Sequence, residues 1–146
     1  MLISCRNIKK SFGDTEVLKG IDLDICRGDR IGLVGRNGAG KSTLADILTG
    51  SSTADAGTIT SSRQRIKVGY LRQTNDARSF RDIMINEVDI SGELQRVTSH
   101  LGVSGRGDLR EEELAYLSGG EKTKLALAAV WAAQPDLAIL DEPTNH

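Results

Sequence analysis

Two short stretches of this chain hold residue types suited to phosphate and a hard cation. The first, Gly35-Arg36-Asn37-Gly38-Ala39-Gly40-Lys41-Ser42, fits the spacing Gly-x4-Gly-Lys-Ser. Its glycines let backbone N–H groups turn inward and approach phosphate oxygens with no Cβ in the way. A helix starting at Lys41, with Ser42 and Thr43 in its first turn, adds open N–H donors and a dipole that favours negative charge. In such a phosphate-binding loop (P-loop), Lys41 reaches the β- and γ-phosphates and the Ser42 hydroxyl ligates Mg2+. The second stretch, Leu137-Ala138-Ile139-Leu140-Asp141-Glu142, puts two acids at the end of an apolar run. Open α/β sheets bind ligands beyond the carboxyl ends of their strands. Asp141 there serves Mg2+ through water, and Glu142, pointing differently, is the catalytic candidate that polarises an attacking water. A Gly-rich turn with an exposed lysine, and an Asp-Glu helix cap, are the plain structural alternatives. The two stretches together outweigh them.

These residues need elements to hold them. Ile31-Gly32-Leu33-Val34 reads as a short apolar strand feeding the loop, and Lys41–Leu48 as the start of a helix that Gly50 can cap. Upstream, Leu2–Cys5, Val17-Leu18 and the alternating Ile21–Ile25 read as strands, the last with one wet face as in an antiparallel sheet. Gly13-Asp14 and Arg27-Gly28-Asp29 supply turns between them. Downstream, Gly57–Thr60 and Ile66–Leu71 read as two more strands. The stretch from Phe80 to Leu101 is helical by pattern, with Ile83, Ile85, Val88, Leu94 and Val97 as apolar contacts. A helix follows over 119–133, broken by Gln134-Pro135-Asp136. Leu137–Leu140 is then fully apolar, the kind of strand buried in a parallel sheet. The fold class is α/β, with antiparallel β-structure first, a parallel-sheet core and a small helical subdomain. The sheet looks unfinished after Asp141.

Bulk properties agree. The chain has 146 residues, 38% hydrophobic and 27% charged, with net charge −1, ordinary for one soluble domain. That balance gives no electrostatic argument for nucleic-acid binding by this segment. No apolar run approaches the roughly 20 residues that span a bilayer, and the N-terminus lacks signal-peptide character. Cys5 and Cys26 have neither metal nor redox spacing and read as small buried thiols in a reducing compartment. The expected location is cytoplasmic.

Leu117-Ser118-Gly119-Gly120-Glu121 admits two physical readings: a capping box, with Ser118 as N-cap and Glu121 three residues on, or a second anion site at a helix N-terminus. The motif resembles the signature of ATP-binding cassette (ABC) ATPases, and it stands ahead of Asp141 at that family's spacing. The resemblance covers essentially the whole chain and implies ATP and Mg2+ as cofactors. It implies that Gln73, after Tyr70-Leu71-Arg72, joins the metal and water site with Ser42 and Asp141. It implies that Phe12, in Lys10-Ser11-Phe12-Gly13, stacks on adenine, a core phenylalanine being the competing reading. Ser118 and its neighbours would act on a nucleotide held by a second cassette. Residues 74–117 would form the helical subdomain.

Two details resemble the ABC-F branch more than transporter cassettes. The signature continues Lys122-Thr123-Lys124-Leu125, and the acids continue Pro143-Thr144-Asn145-His146. That branch comprises soluble two-cassette proteins, many acting on the ribosome as translation or antibiotic-resistance factors. The alternatives are the ATPase subunit of a membrane transporter, partnered by a membrane-domain subunit, and a nucleotide-binding module without turnover. The family's switch histidine lies on a later strand and is not in this sequence, and its D-loop is cut after His146. His146 and His100 carry no assigned role, and Arg110-Glu111-Glu112-Glu113 reads as a solvated helix face. The isolated chain is expected to turn over little.

Overall fold

The computed structural model describes residues 1–63, 66–72 and 118–142. The helix expected from Phe80, the helical subdomain expected at 74–117, Gln73, His100, the 110–113 charge run, Leu117 and Pro143–His146 lie outside the described residues. The chain divides into two compact units, Met1–Lys67 and Val68–His146.

The first unit is built on a hairpin. Strand β1 (Ile3–Phe12) pairs antiparallel with β2 (Thr15–Ile25), from Ile3 opposite Ile25 to Phe12 opposite Thr15. Strand β3 (Ala56–Ser61) takes the other edge of β1, also antiparallel, for the order β2-β1-β3. Cys5 and Ile8 are both fully buried, although three positions apart cannot share a face of a regular strand. A bulge resolves this. Cys5 faces Leu23 and Ile8 faces Ile21, so Arg6 and Asn7 oppose Asp22 alone. Asn7 takes the left-handed backbone (φ 50), and its N–H donates to the Asp22 carboxylate at 2.7 Å. That extra residue is why the sequence alternation fades after Cys5, while pairing with β2 carries β1 on to Phe12. Leu18 and Ile25 of β2 are also buried, as are Leu44, Ala45 and Ile47 of helix α1 (Lys41–Leu48). The helix ends as its sequence predicts, with Gly50 at φ 78 donating to the Ile47 carbonyl.

Two expectations fail in this unit. Ile31–Val34 forms no strand, and Val34 is 95% exposed. An apolar run suits a strand but does not supply a ladder partner, and the three-stranded sheet is complete without it. Cys26 is exposed while Cys5 is buried. It sits just past β2 in a turn closed by Asp29, whose carboxylate accepts from the Cys26 N–H at 2.7 Å. Burial pushes the Cys5 thiol pKa up.

In the second unit, β4 (Val68–Leu71) and β5 (Leu137–Leu140) pair in parallel, Val68 opposite Leu137 through Leu71 opposite Leu140. The Asp141 N–H extends the ladder to the Leu71 carbonyl at 2.9 Å. Helix α2 (Gly119–Ala132) packs on β4 through Ala126 and Val130 against Leu71, with Leu127 alongside. Gly69 permits that approach: a Cβ there would lie 2.8 Å from Val130 Cγ1 and 3.2 Å from Pro135 Cγ. Strand β5 is not buried on both faces as its composition suggests. Its residues alternate between half-buried and exposed, because β4 is its one ladder neighbour among the described residues. No helix among the described residues is long and apolar enough to cross a membrane.

Candidate functional site

The glycine-rich loop turns on itself ahead of α1. Ala39 N–H donates to the Arg36 carbonyl at 3.1 Å, and Gly38 takes φ 79. The Lys41 side chain folds back across the loop, with Nζ 2.9 Å from the Gly35 carbonyl and 3.1 Å from that of Arg36. Two of the ammonium's three donors thus brace the loop from within. Gly40 is the N-cap at φ 90 and has no side chain with which to cap the helix. The first turn of a helix carries N–H groups without intrahelical acceptors, and a cap glycine leaves that end to an incoming anion. Gly40 also has no room for a Cβ, which would meet Leu18 Cδ2 at 2.6 Å and Val17 Cγ1 at 2.9 Å. The loop's exit therefore rests directly on β2. An exposed loop, a braced cation and a helix end without a side-chain cap fit a phosphate group.

Phe12 is not a core residue; it is 56% exposed at the β1–β2 hairpin. It pairs with Thr15, and Gly40 touches Val17 and Leu18. Two to three residues of β2 thus separate the ring from the loop's exit, about 10 Å at most along the strand. That separation is of the order of the distance between base and phosphates in a nucleotide. The sequence reading gave no role to two charged residues here: Lys10, whose ammonium lies over the ring, and Asp55, which pairs with Lys10. Asp55 stands far from Phe12 in sequence, and only the β1–β3 pairing brings the two segments together.

The two acids belong to the second unit. The Tyr70 hydroxyl lies 3.4 Å from Asp141 Oδ2, and the Arg72 guanidinium sits over the Tyr70 ring at 5.1 Å. The parallel register creates this contact, and nothing in the spacing of Tyr70 and Asp141 announced it. Glu142, one residue beyond, takes φ 48, an uncommon conformation for a side chain of this size. The backbone thus leaves the ladder at that residue. Among the described residues no group of three or more His, Cys, Asp or Glu gathers as a metal cage. Mg2+ does not need one: it keeps several waters and takes one or two protein oxygens beside substrate phosphates. Ser42 in the first unit and Asp141 in the second are, each taken by itself, oxygen donors of the kind that ion accepts.

Ser118 caps α2 in a full capping box. Its Oγ accepts from the Glu121 N–H at 3.3 Å, and its own N–H donates to Glu121 Oε2 at 2.9 Å. The hydroxyl also donates to the same carboxylate at 2.6 Å. These donors hold the Glu121 carboxyl below the usual range, the Ser118 hydroxyl contributing most. A depressed folded-state pKa means the contribution is complete above the unfolded value, about 4.3. It is lost as pH falls through the lower folded value. Acidification below pH 4 is therefore expected to fray the first turn of α2 before its centre. Amide exchange at Glu121 and Lys122 should rise ahead of Ala129, and Ser118→Ala should make those two amides exchange early at every pH, abolishing the pH dependence. Simultaneous exchange in the unaltered chain would remove the capping box from the account.

By its fold and its loop, this is an α/β phosphate-binding domain of the P-loop kind. The profile of the ABC transporter family matches residues 18–145. The chain is 38% identical over 155 residues to “Probable ATP-binding protein YheS” of Escherichia coli, covering 99% of this chain and 23% of that protein. It is 33% identical over 170 residues to the “Lipoprotein-releasing system ATP-binding protein LolD” of Porphyromonas gingivalis, covering 99% and 76%. A solved “ATP binding subunit of ABC transporter” superposes with a TM-score of 0.81 at 21% identity, over 99% of this chain and 68% of that one. The chain belongs to the ABC transporter ATPase family. It spans about a quarter of the length of YheS.

Proposed function

We propose that this domain binds ATP with Mg2+ and, facing a second cassette, hydrolyses it to ADP and phosphate. The observation that carries the reading is the loop itself, with Lys41 braced across it and Gly40 leaving the helix end without a side-chain cap. The loop amides from Gly35 to Thr43 and Lys41 hold the phosphates, while Phe12 stacks on the base. Ser42, Gln73 and Asp141 serve the metal, which when bound neutralises charge on the β- and γ-phosphate oxygens. Glu142 takes a proton from the attacking water. The new bond forms from that water's oxygen to the γ-phosphorus as the bond to the bridging oxygen breaks. Leu117–Glu121, with Ser118 and Gly119-Gly120, face the partner cassette's nucleotide. The Ser118 hydroxyl is engaged by Glu121 in this structure, so the first-turn N–H groups of the two glycines are the donors for that nucleotide.

Lys41→Ala is expected to weaken ATP binding about 10- to 100-fold, the worth of lost charge-assisted hydrogen bonds. Equilibrium titration of the purified chain with ATP measures it, and unchanged affinity would sink the reading.

We further propose an ABC-F role: a soluble, cytoplasmic, two-cassette protein acting on the ribosome. The Lys122-Thr123-Lys124 continuation and Pro143-Thr144-Asn145-His146 support it, as does similarity to YheS, whose name carries no transport role. The second reading, a transporter's ATP-binding subunit, draws on LolD, of which the chain covers 76%. Co-sedimentation of the full-length protein with ribosomes in ATP supports the first. Co-purification with a membrane-domain subunit, and no ribosome association, supports the second.

A further inference from the structure

We propose that Lys10 and Asp55 are positioning residues that fix the Phe12 ring and leave one of its faces open to a purine base. The inference rests on the reading of Phe12 as the base-stacking residue. Lys10 and Phe12 stand two apart on β1, on one face of the strand. The Lys10 ammonium lies over the Phe12 ring at 5.6 Å from its centroid. A lysine on a solvent-facing strand end would ordinarily sample many rotamers. This one is held, with its side chain only 13% exposed and Nζ 2.8 Å from Asp55 Oδ1. Asp55 is fixed in turn at two further points. Its Oδ2 accepts from the Ser11 N–H at 2.7 Å, and its own N–H donates to the Lys9 carbonyl at 2.9 Å. The carboxylate therefore ties the start of β3 to the end of β1 and plants a cation against one side of the ring.

The arrangement does more than an ordinary exposed ion pair, which contributes little to stability. Phe12 ends its strand beside the Gly13 turn and is largely exposed. A cation over an aromatic face is attracted by the ring quadrupole, which both orients the ring and occupies that face. A base then meets one oriented surface instead of a rotating ring, and affinity rises because the ordering is done in advance.

The test separates base from phosphate recognition by titrating the full chain with ATP and with inorganic tripolyphosphate, which has no base to stack. Phe12→Ala is expected to lower ATP affinity about tenfold, as loss of a stacked base does, and to spare tripolyphosphate. Lys10→Met and Asp55→Asn should each lower ATP affinity about two- to fivefold, again sparing tripolyphosphate and thermal stability. Lys10→Arg should retain ATP affinity, and Lys10→Met should add nothing in a Phe12→Ala background. If Phe12→Ala leaves the ratio of the two affinities unchanged, the stacking reading fails and this inference with it. If Phe12→Ala shifts the ratio but Lys10→Met and Asp55→Asn do not, or weaken both ligands alike, the positioning role alone is overturned.

Discussion

Glu142→Gln is expected to lower the rate of ATP hydrolysis about 10²- to 10⁴-fold, the usual contribution of a positioned general base, without lowering ATP affinity. Glutamine keeps the shape and length of the side chain but cannot accept the proton. The structure adds a reason to look at this residue. Glu142 follows directly on Asp141, whose N–H is the last to join the β4–β5 ladder, and it takes φ 48. A side chain in the left-handed region costs about 1–2 kcal/mol, and such strain gathers where a side chain must be aimed. Single-turnover hydrolysis by the unaltered and variant chains in the same cassette assembly measures the effect. An unchanged rate would remove Glu142 as base, and a matching loss of ATP affinity would make its role structural.

Glu142→Gly separates strain from chemistry. Glycine relieves the left-handed penalty but adds about 0.5–1 kcal/mol of unfolded-chain entropy, so stability should hold or rise slightly. Turnover should fall as far as in the glutamine variant. A residue present only to shape the turn would show the opposite pattern, with activity kept.

The loop and helix α1 were legible because their determinants are local. Gly40, Lys41 and Gly50 set where the helix starts and stops within their own few residues. The capping box at Ser118 and Glu121 is equally local. Where a second segment decides, the sequence says less. β1 looked like four residues because the bulge at Asn7 shifts its inward positions, and only its pairing with β2 carries it to Phe12. Ile31–Val34 and Leu137–Leu140 share an apolar composition, yet the first has no ladder and the second has one face exposed. Apolarity states what a segment tolerates, not what lies beside it. The same limit hid Asp55 beside Lys10, and Tyr70 beside Asp141, since each contact is set by how two segments of the chain pair.

Gly40→Ala is expected to be the most damaging single methyl group in the loop. The new Cβ must take φ 90 and would stand 2.6 Å from Leu18 Cδ2 and 2.9 Å from Val17 Cγ1. The backbone strain costs about 1–2 kcal/mol. Forcing apart a buried contact costs about 1–3 kcal/mol more, for roughly 3 kcal/mol together. Gly38→Ala provides the control, because it too has positive φ (79) but nothing lies within 4 Å of its Cβ. It should show the backbone penalty alone. Urea unfolding of the three chains measures the difference, with the midpoint falling most for Gly40→Ala and the slope unchanged. Leu18 is buried, so Leu18→Ala destabilises by itself. In the Gly40→Ala background its added effect should be smaller, a coupling that a double-mutant cycle reads directly. ATP titration completes the argument. If the exit of the loop is seated on β2, Gly40→Ala displaces the first turn of α1 and with it the donors around Lys41, and ATP affinity falls with stability. Equal effects of Gly38→Ala and Gly40→Ala on both measurements would mean that β2 does not seat the loop, and that glycine is needed there for its backbone alone.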